Sequence, residues 1–81
     1  MKIELRPRVT MSFDIDVKAL YNFCVEKRYI NEDGYLEISM YEILCKFLEI
    51  DDYVEDDESE AIEDELRCVL FNMTYKDDEN E

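Results

Sequence analysis

The chain has 81 residues, 47% of them apolar and 40% charged, which allows one compact core and not two. With 23 Asp and Glu against 9 Lys and Arg its net charge is −14, so it repels nucleic acid and anionic membrane and attracts basic surfaces. It holds no histidine and a single glycine, which excludes the usual near-neutral general base, the commonest metal ligand and any glycine-rich phosphate loop.

The first segment alternates. Ile3, Leu5, Pro7, Val9, Met11, Phe13, Ile15 and Val17 fall on odd positions, the two-residue period of half-buried strands. Pro7 cannot donate to a ladder, so strands are predicted at about 2–6 and 8–14, as a hairpin or one bent strand. Asp14 or Asp16 then suits a helix N-cap. Val17, Leu20, Tyr21, Cys24 and Val25 form one apolar stripe on a helix of about 16–29, with Lys27 and Arg28 in its last turn.

Asn31, Glu32, Asp33 and Gly34 read as a turn, and Tyr35 to Ile38 as a short strand. Ser39 followed by Glu42 fits a capping box and opens a helix of about 40–49, with Met40, Ile43, Leu44, Phe47 and Leu48 inward. A loop is predicted at 51–54. Ile62, Leu66, Val69, Leu70 and Met73 suit a third helix of about 58–73. The alternation of Val69, Phe71, Met73 and Tyr75 keeps a strand open as the lesser alternative. The expected fold is therefore α+β: a small single domain over 1–76, with an N-terminal strand or hairpin, two or three helices and a short strand between them. Residues 77–81 form an acidic, frayed tail.

No apolar stretch reaches the roughly 18–20 residues that span a bilayer, and the N-terminus alternates apolar with charged residues instead of forming a leader. Cys24, Cys45 and Cys68 lie in apolar stretches and lack metal or redox spacing, as reduced core thiols of a cytoplasmic protein would. A cysteine exposed for pairing between chains is the alternative. No Cys–His or Ser–His–Asp set is possible without histidine. The acids match no calcium-loop pattern: Gly34 arrives two places early in a run from Asn31, and no glycine follows Asp51. No enzyme activity, metal site or cofactor is expected.

Charge is segregated along the chain. Residues 1–28 carry six bases against four acids, whereas the remainder carries 19 acids against three bases. Between residues 49 and 65 stand eleven acids with no base: Glu49, Asp51, Asp52, Glu55, Asp56, Asp57, Glu58, Glu60, Glu63, Asp64 and Glu65. As a helix this run would present a charge about every 2.3 Å, close to the roughly 1.7 Å of duplex DNA. A groove of Lys and Arg built for phosphates then accepts these carboxylates. An acidic face also serves solubility alone, but small domains carry net charges of about 2–8, and here the acids are segregated as well as abundant. Asp51, Asp52, Glu55, Asp56, Asp57, Glu58, Glu60, Glu63 and Asp64 are the candidate partner-binding residues. Tyr53, inside the run, is the expected exposed anchor among six tyrosines.

In size, charge, absence of histidine and the 49–65 run, the chain resembles the small acidic inhibitors made by phages and mobile elements, the DNA mimics and anti-CRISPR proteins. The likeness is one of composition and carries no residue over. It implies an inhibitor that blocks the basic site of a nucleic-acid-handling protein, without touching nucleic acid or membrane itself. The alternative is an acidic protein–protein interaction module, antitoxin-like or an adaptor, without DNA mimicry. The oligomeric state is not legible in the residues.

Overall fold

The computed structural model describes the backbone of residues 1–79 and the side chains of residues 1–74. The fold is α+β: strands β1 (Lys2–Leu5) and β2 (Met11–Asp14), then helices α1 (Val17–Lys27), α2 (Met40–Leu48) and α3 (Asp57–Glu79). The strands form an antiparallel hairpin with Ile3 opposite Phe13 and Leu5 opposite Met11. The odd-position pattern holds in β1, where Ile3 and Leu5 are buried while Lys2 and Glu4 face water, and fails at Val9 and Met11, which are exposed. Of the two expected arrangements the hairpin is the one formed: Pro7 falls in the five-residue connection, and β1 ends one residue earlier than predicted.

Asp16 caps α1, its carboxylate accepting from the amides of Lys18 (3.1 Å) and Ala19 (3.3 Å). Ser39 caps α2 by accepting from the amide of Glu42 at 3.2 Å. The third cap is reciprocal. Asp56 accepts from the amide of Ser59 at 3.0 Å, and the Ser59 hydroxyl accepts from the amide of Asp56 at 2.8 Å. α1 and α2 end without glycine: Arg28 (φ 63°) and Glu49 (φ 60°) take left-handed backbone. The amides of Tyr29 and Ile50 then close those ends on the carbonyls of Cys24 and Cys45.

α3 packs on α1, α2 and β1. The core joins Ile3, Leu5, Ile15, Leu20, Cys24, Met40, Ile43, Leu44, Leu66 and Leu70. The strand alternative for the C-terminal segment is thus excluded. Leu66 and Leu70 are fully buried at one-turn spacing, with Ile62, Val69 and Met73 half-buried beside them. Two expectations need correction. The short strand at 35–38 is a single bridge between Ile30 and Leu36, because Asn31 folds the chain back so tightly that little else can pair. Cys68 is exposed, not a core thiol, because the phase set by Leu66 and Leu70 turns it outward. The predicted tail begins inside α3, whose backbone runs to Glu79; the side chains of residues 75–81 and the backbone of 80 and 81 lie outside the described residues.

The 31–35 turn is held by the Asn31 side chain, which accepts from the amides of Asp33 (2.9 Å) and Tyr35 (3.0 Å). Gly34 sits there at φ 89°, and an added Cβ would lie 3.0 Å from Cδ1 of Phe71 on α3. Gly34→Ala is therefore expected to destabilise the domain by about 1–2 kcal/mol, through left-handed strain and through pushing the turn off α3. Urea midpoints of the two proteins check it.

Candidate functional site

The acidic run divides between two elements. Residues 49–56 form the connection from α2 to α3, and residues 57–65 form the first turns of α3. Its charges are thus a loop followed by the outward half of a helix, not one straight helical row. Glu49, Asp51, Asp52, Glu55, Asp57, Glu58, Glu60, Asp64 and Glu65 are exposed, Asp56 is half-buried and Glu63 is buried.

Three of these carboxylates meet a base. Arg6, from the end of β1, reaches Asp56 with Nη1 at 2.8 Å and Glu58 with Nη2 at 3.0 Å. Arg67 pairs with Asp64 one turn back on α3. The Arg6 carbonyl also accepts from the amide of Val54 at 2.9 Å, so the hairpin end is stitched to the run by main chain and side chain together. Among the described residues, Glu49, Asp51, Asp52, Glu55, Asp57, Glu60 and Glu65 are exposed and in no ion pair. The exposed carboxylates of the helix share its outward half because Ser59, Glu63, Leu66 and Leu70 take the inward one.

Three predicted site residues are structural. Tyr53 is 5% exposed, not an exposed anchor. Its ring packs on Tyr41 with centroids 4.7 Å apart, and its hydroxyl donates to Oε2 of Glu63 at 2.6 Å. Glu63, 7% exposed, therefore leaves the binding array and serves as the acceptor that lets Tyr53 be buried. Asp56 belongs with them, since it caps α3 and holds Arg6. The amide of Ser59 and the charge of Arg6 hold the Asp56 carboxyl below its ordinary range. Among the described residues the exposed tyrosine is Tyr35, against Phe71 at 5.5 Å.

Burial raises the pKa of Glu63, and neighbouring Glu55 raises it further, against the stabilising bond from Tyr53. A raised acid binds its proton more tightly folded than unfolded. Its contribution to stability is complete below the unfolded value near 4.5 and is lost as pH climbs through the folded value. Asp56 has the opposite sign: its contribution is present above its unfolded value and is lost as pH falls through the lowered one. Tyr53→Phe strips Glu63 of its donor and is expected to cost about 1–3 kcal/mol where Glu63 is ionised, and less as falling pH protonates Glu63. Glu63→Gln keeps an acceptor for Tyr53 and is expected to flatten the loss of stability on raising pH. Urea unfolding of the three proteins across a pH series decides it.

The buried thiols offer no nucleophile: burial pushes Cys24 up to about 11 and raises Cys45 as well. Among the described residues no three His, Cys, Asp or Glu side chains converge as a metal site requires. No described helix is long and apolar enough to cross a membrane. No protein-family model, curated protein or solved structure matches this chain.

Proposed function

We propose that the chain is an acidic inhibitor that occupies a basic, phosphate-gripping surface on a nucleic-acid-handling protein. The observation that carries this reading is the set of seven exposed carboxylates in no ion pair among the described residues, gathered on the 49–56 loop and the outward face of α3. In water such charges repel one another, and a row of guanidinium and ammonium groups relieves that repulsion while forming charge-assisted hydrogen bonds. The likeness to small phage-type inhibitors points to a CRISPR effector or restriction enzyme as the target class, met in the cytoplasm of the host cell. Binding is the work proposed, with no catalysis and no cofactor.

Exposed Val9, Met11, Tyr35 and Val54 favour a second reading, an interaction module in which apolar contact dominates and charge only steers the encounter. Competition separates the two. Affinity purification from a bacterial lysate at low salt, with mass spectrometry, yields the partner. Under the first reading duplex DNA displaces this chain from that partner, and the complex weakens steeply with salt. A ternary complex holding both DNA and this chain would exclude mimicry.

A further inference from the structure

Between the β1–β2 connection and the loop after α2 lies an open cleft of about 590 Å3. Pro7, Val9 and Met11 line one wall and Ile50 the other. Val9 is 69% exposed and Met11 45%, in a fold that buries most of its large apolar side chains. Glu49, Asp51 and Asp52 stand on the Ile50 wall, exposed and outside every ion pair among the described residues. Scattered exposed apolar residues need no explanation, but here two of them face three free carboxylates across one cleft.

The geometry points to this cleft as the seat of an arginine side chain presented by an extended segment of a basic partner protein. This rests on the reading above that the partner is basic, and it names where the first contact is made. An arginine carries an aliphatic stem that packs on Val9, Met11 and Ile50, and a planar head with five donors for carboxylate oxygens. A lysine matches the stem but presents a point charge in place of the fork. Arg8 also lines the cleft and forms no ion pair among the described residues, so it opposes a cationic guest. Its removal is therefore expected to tighten binding, an outcome that simple loss of structure does not imitate.

The test is a titration of the full chain, followed by amide NMR, with a capped pentapeptide carrying one arginine between leucines. Its lysine- and glutamine-centred analogues serve as comparisons. Shifts are expected on both walls, at Val9, Met11, Ile50 and Asp52. The arginine peptide should bind about tenfold tighter than the glutamine analogue and measurably tighter than the lysine one. Met11→Ser should weaken it about tenfold with an unchanged circular dichroism spectrum, and Arg8→Ala should strengthen it. Equal affinity for the arginine and glutamine peptides overturns the proposal. So do shifts confined to Asp57, Glu60 and Glu65, although that result leaves the wider acidic surface standing. Conversely, a partner that holds DNA and this chain together sinks mimicry without touching the cleft.

Discussion

Exchanging Asp51, Asp52, Asp57 and Glu60 together for lysine is expected to abolish capture of the basic partner while the domain stays folded. All four are exposed and form no ion pair among the described residues, so no ion pair described there is broken. Four reversals move the net charge from −14 to −6, which eases self-repulsion. Asp57 and Glu60 stand in the first turn of α3, where lysine opposes the helix dipole at about 0.3–1 kcal/mol each. At about 0.7 kcal/mol for each exposed pair, four lost pairs weaken binding about 100-fold. Affinity measured at two ionic strengths checks both halves: the parent weakens steeply with salt and the variant hardly responds. Undiminished capture by the variant would remove the acidic surface from the mechanism. Asp56 is deliberately left out. Its reversal would remove the α3 cap and the Arg6 pair together, and loss of binding would then report loss of structure.

Leu66→Ala is expected to lower the unfolding free energy by about 2–5 kcal/mol. Leu66 is fully buried in the core where α3 meets the rest of the fold. A domain of this length holds about 4–12 kcal/mol in all, so the variant sits at the edge of folding. Urea denaturation gives the value, and Cys68→Ser, two residues on and exposed, serves as the control expected within about 0.5 kcal/mol of the parent. A loss below about 1 kcal/mol for Leu66→Ala would mean that α3 does not dock as described.

Much of the fold is legible from local spacing. Odd-position apolar residues give the hairpin, Asp16 and Ser39 mark two helix starts, and Leu66 with Leu70 gives the third helix its inward face. What escapes depends on partners distant in sequence or on residues whose usual habit differs. Ser59, Glu63, Leu66 and Leu70 form one stripe at helical spacing, but serine and glutamate ordinarily read as solvated positions. Glu63 turns inward because Tyr53, ten residues earlier, gives it a donor. The same bond hides the tyrosine that looks most exposed in the sequence. Arg6 is invisible as a partner of the acidic run because fifty residues separate it from Asp56. The left-handed ends at Arg28 and Glu49 carry no glycine to announce them.

The left-handed turn at Glu49 ties recognition to folding. That backbone shape is unfavourable for a residue with a side chain and persists only because the packed core around α2 enforces it. It aims the following carboxylates in a fixed direction, so they exist as an ordered group only while the domain is intact. A ligand that grips them in that order binds the native chain and not the denatured one, and by mass action it raises the melting temperature of its own binding site.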